Sequence, residues 1–255
     1  MTDAVLTEEH ADGVLVITIN RPEARNAVNG AVADGVAAAV DRLDATDELR
    51  VGVLTGAGGT FCSGMDLKAF LAGELPVLEG RGLAGLTEAP PRKPLVAAVE
   101  GYALAGGFEV LLACDLVVAA EDARLGVPEV KRGLVAGAGA AILLPERVGL
   151  PRALELLLTG EPIGAATAAE WGLVNRVVPA GTALEAALEL ARTVAANGPL
   201  AVAVSKQVAR SARDWGTEEM WHRQGELVMP VFMSKDAQEG AAAFAEKRPP
   251  VWQGR

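Results

Sequence analysis

The stretch PLVAAVEGYALAGGFEVLLACDLVVAA, residues 94–120, decides how this chain is read. Residues 95–99 and 116–120 are short continuous runs of Leu, Val and Ala, the pattern of strands buried on both faces of a parallel sheet. Between them lie a turn broken by Gly101, Gly106 and Gly107 and a helical pattern over 108–114. The stretch could pass for a membrane span, but Glu100, Glu109 and Asp115 interrupt it, and each would be costly in hydrocarbon. It therefore reads as a strand, turn, helix, strand unit of an α/β domain.

The same theme recurs on the N-terminal side. Residues 14–20 (VLVITIN) alternate as a strand and stop at Arg21-Pro22, and the Ala/Val spacing over 31–43 predicts a helix capped by Asn29. Residues 51–55 (VGVLT) form a buried strand, 56–59 turn the chain, and FCSGMDLKAF (61–70) reads as a loop entering a short helix. Over 73–94 the pattern dissolves around Pro76, Pro90, Pro91 and Pro94, which suggests a flexible connection or lid.

On the C-terminal side, the Gly-rich run 133–141 leads into apolar residues through Val148. Helices are predicted from Pro151 to Thr159 and over 165–171, and a last strand over 174–178. From Leu184 onward the pattern is helical, with breaks at Gly198-Pro199, Gly216 and Pro230. A boundary near Asn197 separates an α/β core (1–197) from a helical tail (198–255). The tail holds Trp215, Trp221, Trp252 and Phe232, which either seal it against the core or meet neighbouring subunits.

Composition narrows the function. The 255 residues carry a formal charge of -10, and their cations are scattered singly, which argues against nucleic acid and against polybasic membrane docking. Residues are 51% hydrophobic but only 4% aromatic, so the core must be Ala, Val and Leu packed closely against Gly. Cys62 and Cys114 supply neither a disulfide framework nor a metal cluster, and the start MTDAVLTEEH lacks a basic segment followed by an apolar run; a reducing cytoplasm is expected. His10 and His222 lie in no motif with a nucleophile, which speaks against a Ser-His-Asp relay. No HExxH, paired CxxC, DxDxDG or Walker loop occurs, so no metal is expected.

What stands out is acid inside apolar sequence. Glu109 is flanked by Phe108, Val110, Leu111 and Leu112, where a helix would carry it inward, and Glu129 follows Gly126-Val127-Pro128 before another apolar, Gly-rich stretch. A buried carboxyl has a raised pKa, and a nearby pair can supply one acid and one base at neutral pH. Equally, each Glu can be a structural carboxylate bound by a backbone amide or by Arg124 or Arg132. Gly106-Gly107 opens the Glu109 helix, and the first N–H groups of a helix are unpaired at its positive end. Met65, after Ser63-Gly64 and ahead of its own short helix, offers a second N–H of the same kind. Two converging amides would make an oxyanion hole; each Gly taken alone is equally a turn or a close-packing position.

Taken together, NRPEARNAV (20–28), FCSGMDL (61–67), the 94–120 stretch, LGVPEVKRGL (125–134), WGLVNRVV (171–178) and the closing AFAEKRPPVWQGR resemble the crotonase, or enoyl-CoA hydratase/isomerase, superfamily. The resemblance implies an α/β fold of repeated ββα units wound as a spiral, with a helical trimerisation region over 198–255 in a homotrimer or a hexamer built as a dimer of trimers. It implies a coenzyme A thioester whose carbonyl oxygen sits between the N–H groups of Met65 and Gly106. Coenzyme A would enter as part of the substrate, with no separate cofactor, near Ala24, Arg25, Gly64, Asp66, Leu67 and Lys68. Glu109 and Glu129 fall on the positions of the two hydratase glutamates, and the N–H of Gly137 falls where hydratases hold the reacting water. Isomerases and hydrolases of the superfamily often keep one glutamate, so hydration of a 2-enoyl-CoA is favoured over isomerisation, dehydration or non-catalytic binding. The chain departs from the pattern after Gly133: where many hydratases have Pro, then a Gly-rich run ending in Thr-Gln-Arg, it has Ala136, GAGA, Ala141, Ile142 and Leu143. Met65 also stands where a small residue is common, which would narrow the acyl channel.

Overall fold

A computed structural model describes residues 3–255. In chain order the strands are β1 (Val5–His10), β2 (Val14–Ile19), β3 (Val51–Gly56), β4 (Val77–Leu78), β5 (Gly82–Leu83), β6 (Leu95–Val99), β7 (Tyr102–Leu104), β8 (Leu116–Ala120), β9 (Arg124–Gly126), β10 (Ile163–Gly164) and β11 (Arg176–Val178). The α-helices are α1 (Gly30–Ala45), α2 (Leu67–Leu71), α3 (Gly106–Ala113), α4 (Ala140–Val148), α5 (Leu150–Thr159), α6 (Ala165–Glu170), α7 (Ala183–Ala195), α8 (Pro199–Ser211), α9 (Met220–Phe232) and α10 (Lys235–Glu246). Among the described residues no helix is long and apolar enough to cross a membrane.

The main sheet has the order β1-β2-β3-β6-β8-β11, antiparallel between β1 and β2 and parallel from there on. Its inner strands β3 and β6 are buried almost throughout, which is why their sequences are unbroken apolar runs rather than alternating ones. One face is covered by α1 through Val32, Val36, Val40 and Leu43, the other by α7 through Ala183, Ala187, Ala191 and Ala195. That stripe of Ala at every fourth position lets α7 lie close to the sheet.

A second layer runs beside the first. β7 pairs with β9 and β9 with β10, and isolated bridges Val28↔Met65 and Cys62↔Ala103 continue the ladder toward the N-terminus. Each turn of chain thus lays one strand in the main sheet, one shorter extended segment in the second layer, and then a helix. This is the ββα spiral that the family resemblance implies. Successive turns bring the starts of their helices to one side, so Met65, before α2, and Gly106, first residue of α3, come from neighbouring turns.

The structure adds one element to those expected and corrects others. β1 is an edge strand whose Thr7, Glu8 and Glu9 are exposed; it has no apolar signature and exists because it pairs with β2. The 101–107 turn contains β7, held by pairing to β9. The 73–94 segment is not a loose lid: β4 and β5 form a hairpin, Leu83, Ala84 and Leu86 are buried, and Arg81 grips Asp41 of α1 with distances of 2.9 and 2.8 Å. Pro230 does not break α9, because it lies in the last turn and forfeits only one helical bond.

Between α7 and α8 the chain turns at Gly198. The indole of Trp252 lies against Gly198 and Gly240 and donates to the Ala196 carbonyl at 2.8 Å, so this Trp seals tail to core. Trp221, Phe232 and Phe244 are exposed. The base of α8 is fixed by Asp115, which pairs with Lys206 (2.6 Å) and Arg210 (2.7 Å) and accepts from the Leu95 N–H at 2.8 Å.

Candidate active site

β7 leads into α3 through Ala105, held at φ 51° and ψ −130°, a conformation that residues with a side chain rarely adopt and that costs about 1–3 kcal/mol. The bend is held from both sides: the Ala105 N–H donates to Gly126 O at 2.9 Å, and its carbonyl accepts from Phe108 N and Glu109 N. The Gly106 N–H, at the positive end of α3, donates to no acceptor among the described residues. A Cβ on Gly107 would strike the Cys62 carbonyl, so helix and neighbouring turn touch backbone to backbone there.

The 62–66 segment is pressed against this bend. A Cβ on Gly64 would lie 2.8 Å from Ala105 Cβ and 3.3 Å from Gly106 N, and Gly64 sits at φ 107°, so glycine is required on two counts. Val28 N donates to Gly64 O and Asp66 N to Val28 O, both at 2.8 Å, leaving the Met65 N–H between them without an acceptor among the described residues. The point a Gly106 Cβ would occupy is 3.5 Å from Met65 N. Two unsatisfied N–H groups from neighbouring spiral turns therefore border one small region.

Residues 20–28 are shaped by Asn26, fully buried, whose Nδ2 donates to Ala57 O and Thr60 O and whose Oδ1 accepts from Arg21 N. Ser63 N donates to Arg25 O at 3.1 Å, which places Ala24 and Arg25 beside the Met65 to Lys68 run. Arg25, Leu67 and Lys68 are exposed. Asp66 is committed elsewhere: Oδ1 caps α2 through Lys68 N and Ala69 N, and Oδ2 pairs with Arg21 at 2.9 Å. Burial raises the Asp66 pKa, but that pairing and capping outweigh it and hold the carboxyl below its usual range.

Glu109 is 3% exposed and buried by α3 as its sequence suggests. Its Oε1 accepts from Ala138 N at 2.7 Å and Ala140 N at 3.1 Å. Burial pushes the carboxyl up, the two amides pull it down, the charge of Glu129 adds to the rise, and it settles at about 7. Glu129 sits in a 3-10 turn (Pro128–Arg132) and is likewise shifted upward by burial, against smaller downward pulls from its own backbone N–H and from Arg132. Its Oε2 is buried with no hydrogen-bond partner among the described residues. A desolvated, unpartnered carboxylate oxygen is a costly feature for stability and a useful one for moving a proton.

Gly137 is exposed, with only Val135 O at 3.7 Å on its Cβ side, and its N–H has no backbone acceptor among the described residues. It adjoins Ala138, one of the two donors to Glu109. Those donors, Ala138 and Ala140, escape sequence reasoning because backbone contributions leave no side-chain signature; the Gly-rich run around them is the one available signal. The suggested alternative partners are used otherwise: Arg124 donates to the Asp122 and Ala123 carbonyls, and Arg132 to Pro128 O.

Residues 9–255 match the family model described as Enoyl-CoA hydratase/isomerase. The chain belongs to the enoyl-CoA hydratase/isomerase family. Among its relatives, the enoyl-CoA hydratase EchA19 of Mycobacterium tuberculosis is 42% identical over 97% of this chain and 96% of that protein. A carnitinyl-CoA dehydratase of Proteus mirabilis is 40% identical over 95% of each. Among solved structures, an enoyl-CoA hydratase from Mycobacterium tuberculosis superposes with a TM-score of 0.98 at 56% identity over the whole of both chains. The spiral with its helical C-terminal region is thus the fold of this enoyl-CoA hydratase/isomerase family member as well.

Proposed function

We propose that this chain hydrates a 2-enoyl-CoA thioester. The observation that carries the reading is the pair of buried Glu109 and half-buried Glu129, both shifted upward, in the same spiral as two acceptor-free N–H groups. Met65 N and Gly106 N receive the thioester oxygen and stabilise the negative charge that builds on it as water adds to C3, an effect worth about 3 kcal/mol per donor. Glu109 orients the water, with the Gly137 N–H, and takes its proton; Glu129 delivers a proton to C2. The water oxygen forms the new bond to C3, the 2,3 π electrons pass through C2 toward the carbonyl, and protonation at C2 closes the balance. Coenzyme A lies along Ala24, Arg25 and the Gly64 to Lys68 run, where exposed Arg25 and Lys68 meet its phosphates and the Asp66 cap fixes the backbone.

The reverse reaction, loss of water from a 3-hydroxyacyl-CoA, uses the same groups and is favoured as a second reading by the relative named a dehydratase. Isomerisation needs one glutamate only. The deciding experiment is product analysis on a panel of enoyl-CoA and hydroxyacyl-CoA thioesters with the wild type, Glu109→Gln and Glu129→Gln. Hydration abolished by both substitutions supports the two-glutamate reading; hydration retained by both overturns it; tight acyl-CoA binding without turnover marks a binding protein instead. Assembly as a trimer or dimer of trimers through residues 198–255, where Trp221, Phe232 and Phe244 are exposed, belongs to the same proposal, and light scattering tests it.

A further inference from the structure

The hairpin of β4 and β5 carries one side chain into the region just described. Leu83 Cδ2 would lie 2.5 Å from a Cβ on Gly106, the same point that is 3.5 Å from Met65 N. Leu83 is 4% exposed, and its backbone is held on both sides. Its N–H donates to Thr87 Oγ1 at 2.9 Å, and Arg81, two residues earlier, holds Asp41 of α1 while its Nε donates to Gly85 O at 3.2 Å. Gly85 in turn fits so tightly on α1 that a Cβ there would meet Ala37 Cβ at 2.7 Å.

We propose that Leu83 is a specificity-determining residue that limits the bulk tolerated at C2 of the acyl group, with Arg81 as the positioning residue that holds it. The inference rests on the reading that the thioester oxygen sits between Met65 N and Gly106 N. The carbonyl carbon bears sulfur on one side and C2 on the other. Sulfur leads to the portion every coenzyme A thioester shares, so a wall there cannot discriminate, whereas a branch at C2 lies within van der Waals range of the oxygen when the acyl group binds with that branch, rather than C3, on the oxygen's side. A methyl wedged beside the oxygen's site therefore sorts unbranched from 2-methyl-branched acyl groups. It also excludes water from the flank of the two N–H groups, which strengthens their hold on a developing charge.

The test compares crotonyl-CoA with its 2-methyl derivative. Leu83→Ala is expected to raise the branched-to-unbranched ratio of kcat/KM by about 10-fold or more, the discrimination a single methyl commands in an apolar pocket. Leu83→Val serves if the Ala variant does not fold, with a smaller shift in the same direction. Arg81→Met is expected to move the ratio the same way and Arg81→Lys to restore part of it, a pattern that loss of stability alone would not give. Calorimetric binding of butyryl-CoA and 2-methylbutyryl-CoA supplies a readout that needs no turnover. A folded Leu83→Ala variant with unchanged ratios in both assays overturns the inference. A shifted binding ratio with no hydration of either thioester leaves Leu83 in place and overturns the hydratase reading instead.

Discussion

Glu109 stands in for the capping side chain that α4 lacks: its Oε1 accepts the N–H of Ala140, the first residue of that helix, at 3.1 Å, and the preceding Ala138 N–H at 2.7 Å. One carboxyl is thus both a candidate proton acceptor and the anchor of a loop. Charge and acceptor capacity can be separated by substitution. Glu109→Gln keeps an oxygen for the two amides and loses the charge, so hydration should fall about 10²–10⁴-fold with little change in thermal stability. Glu109→Ala should lose the same activity and about 1–2 kcal/mol besides. Steady-state rates and denaturant melts of the two variants side by side check this.

Stability should also depend on pH through this group. The Glu109 pKa is raised from 4.5 to about 7, so between those values the native state holds more proton than the unfolded chain. The sign is that stability is greatest below this window, declines as pH rises through it and levels off above, by no more than about 3 kcal/mol. Glu129 shifts in the same direction and adds to the decline. Urea midpoints across the window should slope downward for the wild type and less steeply for Glu109→Gln.

For activity the same shift acts in the opposite sense. If Glu109 takes the proton from water it must be ionised, so kcat/KM should climb with pH up to about 7, the value its burial sets. Because Glu109 and Glu129 influence each other, the limb reports the pair. A profile flat across this range would remove Glu109 from the role of base.

The glycines at the start of α3 answer different questions. Gly106→Ala places a methyl against Leu83 and beside Met65 N, and should lower kcat about 10²–10³-fold through displaced donors. Gly107→Ala drives a methyl into the Cys62 carbonyl and should cost about 1–3 kcal/mol of stability. Thermal melts and rates on the purified pair distinguish them, since the first is expected to be mainly a catalytic defect and the second mainly a folding one.

Asp115 offers a test of how the tail is attached. It is the carboxylate partner of both Lys206 and Arg210, and burial pushes the Lys206 pKa down against the pull of Asp115. Asp115→Ala would strand two cations in a half-buried setting, a loss of about 3 kcal/mol or more. Amide exchange should show α8 opening ahead of the sheet.

How far the sequence exposes this fold depends on where each element gets its stability. β6 and β8 are legible because burial on both faces writes an unbroken apolar run, and α1 because Asn29 caps it through Val32 N at 3.1 Å. β1, β7 and the β4–β5 hairpin are not, because partners far along the chain hold them: β2, β9, and Asp41 forty residues before Arg81. At the site, Glu109 and Glu129 announce themselves as acids among apolar residues. Leu83, Ala138 and Ala140 do not, since an apolar wall and two peptide N–H groups look like ordinary core and loop until the chain is folded.

The footing of Glu109 on peptide nitrogens bears on how this family can diversify. Any residue except proline carries that hydrogen, so substitutions at Ala138 and Ala140 that leave the backbone in place keep both contacts to the acid available. The outward-facing side chains of this loop can vary while its main chain holds the carboxyl.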